Sequence, residues 1–380
     1  MVVTVMVRGI WRDARLGRRG GALGVAALCL MACRAPAVVE APAPTPVVVE
    51  PAPAAKEAAP LAGPARTAEL VPLSFKTFVI AVDDEALYAV RGPEIVRMPL
   101  SGGELAIVAR TKDPQGARQV ELHGGHLYFV DLAEVWRVPK GGGSQQQVVP
   151  RQPYFVGYAV AGDTVYWLNG RAPIQDTPPF RRVEGARPGV FAMSPSGDKR
   201  RVARLPELRA GSEAFAPLGP IVCREDGSLC AFVAREGVYT VDTRGTSKLL
   251  AKVLPYVLAV DGADFVAAEQ GGDALWLLST SGAPQRKLAT VPGIWGVVVG
   301  PADFYVIDRV GSVLRVPRSG GAPETLVTGQ NSSIVRNSTH IYALNPANER
   351  LVRIELNAGS SEALSAASAG HRDDAGASSR

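Results

Sequence analysis

Residues 95–109 read IVRMPLSGGELAIVA, residues 135–149 read VWRVPKGGGSQQQVV, and residues 313–327 read VLRVPRSGGAPETLV. No other feature constrains the fold as much. A unit this short cannot bury its own apolar side chains and must stack on further copies of itself. Aligning on the apolar run before each turn extends the series to seven: IVRMP (95), VWRVP (135), VFAMS (190), VYTVD (238), LWLLS (275), VLRVP (313) and LVRIE (351). Their spacings are 40, 55, 48, 37, 38 and 38 residues.

Each copy is preceded by two more apolar runs. The nearer series is ALYAV (86), HLYFV (126), TVYWL (164), LCAFV (229), DFVAA (264), DFYVI (303) and HIYAL (340). The farther is TFVIAV (77), ARQVEL (117), YFVGYAV (154), GPIVC (219), YVLAV (256), GIWGVVV (293) and SSIVR (332). A fourth, more polar run follows each turn, as in ELAIVA (104) and ETLVTG (324). Short runs rich in β-branched and aromatic residues, bounded by Gly, Pro, Asp and Ser, are strands. Three strands apolar on both faces suit a sheet held between two neighbours, and a polar fourth suits an outer edge. Turns such as SGG, GGG and SGD supply residues that tolerate positive φ. Four strands per repeat of about 38 residues is the signature of a propeller blade. The sequence therefore predicts an all-β chain, a β-propeller of seven four-stranded antiparallel blades over residues 67–366. Either AELVP (68–72) or SEALSAA (361–367) fits the strand that completes the last blade.

The repeats resemble those of YWTD, NHL and related bacterial propellers over that same span. The resemblance is one of pattern, since no copy carries a full YWTD tetrapeptide.

The first 32 residues carry Arg8, Arg12, Arg15, Arg18 and Arg19 against Asp13, followed by GGALGVAALCLMAC (20–33). A basic stretch, a short apolar run and a small residue before a cut describe a secretory signal, too short to span a membrane. Leu30-Met31-Ala32-Cys33 resembles the lipobox of bacterial lipoproteins, which implies a lipidated Cys33 and a membrane anchor through its acyl chains. Arg34 after the cysteine, rather than Asp, points to the outer membrane. Without residues 1–32, Lys+Arg falls from 41 to 36 and Asp+Glu from 36 to 35, so the net charge drops from +5 to +1. The basic character thus belongs to the signal, and no nucleic-acid partner is expected. Residues 34–66 hold eight prolines and no aromatic, the composition of an extended tether. Residues 367–380 read as a disordered tail.

Cys223 and Cys230 flank an Asp226-Gly227 turn. A two-residue hairpin there sets them opposite one another, about 5.5 Å apart as a hydrogen-bonded pair, within disulfide range. The envelope permits such a bond.

Two repeats are stretched. One extra piece (169–188) separates the second and third strands of blade three, and another (206–218) separates blades three and four. Second-to-third and fourth-to-first connections emerge on one face of a propeller, so both insertions decorate the same face. Long loops on a rigid scaffold are where binding usually resides. Candidate partner-binding residues are Arg171, Phe180, Arg181, Arg182 and Arg187 in the first and Arg209 and Phe215 in the second. Such arginines suit a carboxylate- or phosphate-bearing partner.

Catalytic motifs are missing: no HExxH, GxSxG, P-loop or EF-hand loop occurs. His123 and His126 (HGGH) fall in a turn on the opposite face, and Asp131, Glu134, Glu269, Asp273 and Asp308 follow second strands on the decorated face. Those acids could ligate a divalent cation, as in propeller lactonases, but turns are rich in Asp and Glu in any case. No cofactor or catalytic residue is assigned. The reading is a monomeric envelope lipoprotein whose propeller binds a protein or glycan partner. The rival is a lactonase- or lyase-type enzyme acting at the central channel.

Overall fold

A computed structural model of the protein describes residues 68–72, 77, 80–170, 188–204, 220–234, 236–269, 273–329, 331–345 and 350–356. They form 28 strands, β1–β28 in chain order, in seven four-stranded antiparallel sheets. Blades one to six are consecutive meanders, spanning 80–110, 120–149, 155–204, 221–251, 255–290 and 296–327. Their inner strands are β2 (Ile80–Val82), β6 (Val120–His123), β10 (Phe155–Ala161), β14 (Ile221–Cys223), β18 (Pro255–Asp261) and β22 (Gly296–Val299), and that of blade seven is β26 (Ser333–Arg336). Each lies against the inner strands of its two neighbours, and β26 returns to β2, which closes the ring. The seven-bladed propeller expected from the repeats is the fold.

Side-chain alternation explains why the inner three strands are apolar on both faces. In blade two, Leu127 and Phe129 of β7 (His126–Asp131) join the cluster shared with blade one, while Tyr128 and Val130 join the one shared with blade three. The core is seven such clusters, one in each gap between blades. Each fully buried Val, Leu, Ile or Phe contributes about 1.5–3 kcal/mol, and half of every cluster belongs to the next repeat.

Ring closure, open between two segments in the sequence, goes to the first. Strand β1 (Ala68–Pro72) pairs with β28 (Arg350–Glu355) from Ala68↔Ile354 to Pro72↔Arg350. Blade seven is thus built from both ends of the propeller sequence, in the order β1-β28-β27-β26. Residues 361–367 lie outside the described residues. The outer strands of blades one to six each meet their neighbour through a register shift at the same place in the repeat. Such a bulge twists an edge and discourages pairing with other chains. Strand β1 joins β28 without one.

Cys223 and Cys230 are disulfide-bonded and directly opposite in register. The expected pair type needs correction. The turn closes one residue earlier than a two-residue hairpin, with Gly227 N–H donating to Arg224 O and Arg224 N–H to Leu229 O. Gly227, at φ 69°, absorbs the extra residue. This makes Arg224 and Leu229 the hydrogen-bonded pair, leaving the cysteines at a non-hydrogen-bonded site with Cα atoms 3.9 Å apart. Constraining so short a loop is worth about 2.5 kcal/mol by the loop-entropy relation. Replacing both cysteines by serine is therefore expected to lower the unfolding free energy by that amount in denaturant titration, without changing the fold seen by circular dichroism.

Candidate functional site

The two faces of the ring differ. On the face of the first-to-second and third-to-fourth turns, charged side chains bind blade to blade. Lys140, just after Pro139, reaches back to Asp83 in the first turn of blade one (2.6 Å). Arg318, just after Pro317, repeats the contact on Asp261 of blade five through both carboxylate oxygens (2.7 and 2.6 Å). Burial pushes the Asp83 carboxyl up, but the Lys140 ammonium and the amides of Ala86 and Glu85 outweigh it and hold it below the usual range. Blades seven and one are joined there by Ser338, whose hydroxyl donates to Asp84 (2.6 Å). His123 and His126 are also on this face, directly paired across their hairpin.

The roots of both insertions are on the other face. The first leaves at Asn169, the end of β11 (Thr164–Asn169), and returns at its register partner Gly189, the start of β12 (Gly189–Met193). The second leaves at Arg204, the end of β13 (Lys199–Arg204), itself the partner of Gly189. Both therefore root on one edge of blade three. Arg171, Phe180, Arg181, Arg182, Arg187, Arg209 and Phe215 lie in 171–187 and 205–219, outside the described residues, as does Cys33.

Beside those roots sits a feature that sequence reasoning missed. Among the described residues only Leu132, Ala133 and Tyr154 adopt positive φ without being glycine (49°, 66° and 53°). Leu132 and Ala133 are the two central residues of the hairpin between β7 and β8 (Glu134–Pro139), a turn that ordinarily selects Asn-Gly. Tyr154 lies in the next connection. Gln152 N–H donates to Ala133 O (3.0 Å), and Gly170 N–H, at the first insertion root, donates to Tyr154 O (2.8 Å). Strain of about 1–3 kcal/mol at each such residue persists only where the surroundings enforce it, and it gathers at functional sites. Of four large apolar side chains exposed among the described residues, Leu132, Leu254 and Val310 are all on this face.

Four of the five acids singled out for a cation are engaged with the protein. Asp131, 2% exposed, accepts the backbone N–H groups of Lys112 (2.7 Å) and Asp113 (3.0 Å), clamping the connection between blades one and two. Glu134 accepts from Lys112 Nζ (3.3 Å) and Trp136 Nε1 (3.0 Å). Asp273 accepts from Gly293 N–H (3.1 Å), and Asp308 caps its own turn at Val310 and Ser312 (2.9 and 2.8 Å). Glu269 ends β19 (Asp264–Glu269). Among the described residues no three His, Cys, Asp or Glu side chains gather as a metal site.

No protein-family model matches the chain, and no curated protein matches it. Solved structures do. A catalytically inactive virginiamycin B lyase from Staphylococcus aureus, with quinupristin, aligns at TM-score 0.56 and 12% identity over 77% of this chain and 100% of that one. The β-propeller domain of Cps50 (Swd1) from Myceliophteria thermophila aligns at 0.55 and 11% identity, over 76% and 99%. YCF48 bound to a D1 peptide aligns at 0.52 and 12% identity, over 78% and 97%. At such identities the likeness is one of fold.

Proposed function

We propose that the chain is an envelope lipoprotein, held through Cys33, whose propeller is a binding scaffold for a protein or glycan partner. The partner meets the decorated face. The observation that carries this reading is the unequal make-up of the two faces: the Lys140–Asp83 and Arg318–Asp261 pairs cross blades on one, the stapled face, while the other gathers both insertion roots, the strained Leu132-Ala133 turn and three exposed apolar side chains. The disulfide supports an extracytoplasmic home, and the lipobox-like stretch at 30–33 supports the anchor. YCF48, a propeller of similar fold, is known with a bound peptide. The rival reading, catalysis by acids of the decorated face, is not favoured by Asp131, Asp273 and Asp308, which already hold backbone amides.

The strained turn supplies the test. Replacing Leu132-Ala133 with Asn-Gly places residues suited to φ > 0, so the double variant is expected to gain roughly 1 kcal/mol or more in stability. If the exposed Leu132 serves the partner, the same variant loses crosslinked partner in intact envelopes. Unchanged crosslinks from the stabilised variant would rule out a role for this turn.

A further inference from the structure

The channel wall between blades two and three departs from the other blade interfaces. Strand β6 directs Val120 and Leu122 into the cluster shared with blade one, so Glu121 between them faces blade three. Its register partner on β7 is Tyr128. Across the gap stands Tyr158 of β10, whose register partner is Trp167. Both tyrosines belong to the cluster that fills this gap. The sequence holds a trace of this feature, because Glu121 is the one acidic residue in the seven farther apolar runs.

A buried phenol here has no hydrogen-bond partner among the described residues, and a partly exposed carboxyl beside it has one weak one. Glu121 Oε1 accepts one long bond, from Val160 N–H (3.4 Å). No ion pair among the described residues involves Glu121. The Tyr158 hydroxyl, on a residue 1% exposed, has no hydrogen-bond partner among the described residues. The neighbouring Gln119 does not help either group, since its amide donates to the Tyr158 carbonyl oxygen (3.0 Å). Burial pushes the Glu121 carboxyl up to about 8 against the single amide that opposes it. Burial, then the Glu121 charge and Tyr128, raise Tyr158 well above the phenol range. These are the marks of an acid and a phenol packed together without an ion pair among the described residues. Glu121 keeps partial exposure on β6, an inner strand of the ring.

A carboxylate beside two tyrosines, in no ion pair with a lysine or arginine among the described residues, is a site for a positive charge brought from outside. The carboxylate would take the charge, and the phenol oxygens the N–H groups or the rings the alkyl groups. We propose that the channel wall between blades two and three binds an organic ammonium group through Glu121, Tyr128 and Tyr158. The inference does not rest on the decorated-face reading. The ammonium group belongs either to a free amine or to the lysine side chain of a protein.

Calorimetric titration of the full chain at pH 7, in two buffers of different ionisation enthalpy, tests the proposal. The probes are methylammonium, tetramethylammonium and Nα-acetyl-lysine amide, with sodium chloride at matched ionic strength as the control. Binding has to ionise a carboxyl whose pKa is about 8, so roughly nine-tenths of a proton is released per ammonium bound. Glu121→Gln, a neutral isostere, is expected to fold normally by circular dichroism, lose at least tenfold in affinity and release no proton. Tyr158→Phe is expected to weaken binding severalfold while keeping the proton release. Tighter binding of methylammonium than of the lysine amide identifies a free amine as the natural occupant, and the reverse order identifies lysine. Absence of binding, an equal response to sodium, or Glu121→Gln binding like the wild type would overturn the proposal.

Discussion

Deleting residues 68–72 is expected to lower the melting temperature by roughly 10 °C and to make the protein self-associate. The segment supplies a full five-residue ladder to β28, from Ala68↔Ile354 to Pro72↔Arg350. At about 1 kcal/mol net per ladder hydrogen bond, the loss is on the order of 4–5 kcal/mol, and each kcal/mol moves the midpoint of a chain this size by about 2 °C or slightly more. The deletion also uncovers Leu351, Val352 and Ile354, each at most 4% exposed. Strand β28 then becomes a bare edge, so concentration-dependent association should appear in sedimentation. Calorimetry and sedimentation together check both effects. A melting point within about 2 °C of the full chain would mean that residues 361–367 fill the vacated edge, and closure would not depend on β1.

Trp167→Ala is expected to cost about 4 kcal/mol in denaturant titration. Trp167 is fully buried in the gap between blades two and three and stacks on Phe191 with ring centroids 5.5 Å apart. The Lys199 ammonium lies over both rings (5.3 and 5.2 Å), so the truncation also removes a cation–π contact. Large-to-small changes at such sites cost about 3–5 kcal/mol because the surroundings collapse only partly. Trp167→Phe should cost well under half as much, since it keeps a ring and removes an indole N–H that has no acceptor among the described residues. A loss below about 1 kcal/mol for the alanine variant would show that the gap between these blades is loosely packed.

The propeller was legible because its two signals are local: runs apolar on both faces, and Gly- or Pro-rich turns at a fixed place in each repeat. Closure was not, because AELVP and SEALSAA present similar patterns of polar and apolar residues, and which one reaches β28 is decided across the whole ring. The cysteine register was legible from the hairpin, but its pair type depended on where the turn closes. Asp226-Gly227 looks like a two-residue turn, and only the Gly227-to-Arg224 hydrogen bond shows that it is not. At the candidate site, the insertions announced themselves by breaking the spacing. The Leu132-Ala133 turn was legible as a connection but not as a strained one, since Leu and Ala carry no signal of positive φ. Asp131 read as a possible ligand because a sequence shows the carboxylate but not the two amides that it clamps.

The central question for this propeller is which face meets the partner. A photoactivatable amino acid placed in turn at Leu132, Val310, Asp163 and Ser338 of the anchored protein, irradiated in intact envelopes, reads this directly. The first two positions lie on the decorated face and the last two on the stapled face. The expected result is one discrete adduct from Leu132 and Val310, lost when residues 171–187 are exchanged for a short turn, and none from Asp163 or Ser338. Adducts from the stapled face alone, or from neither face, would contradict it.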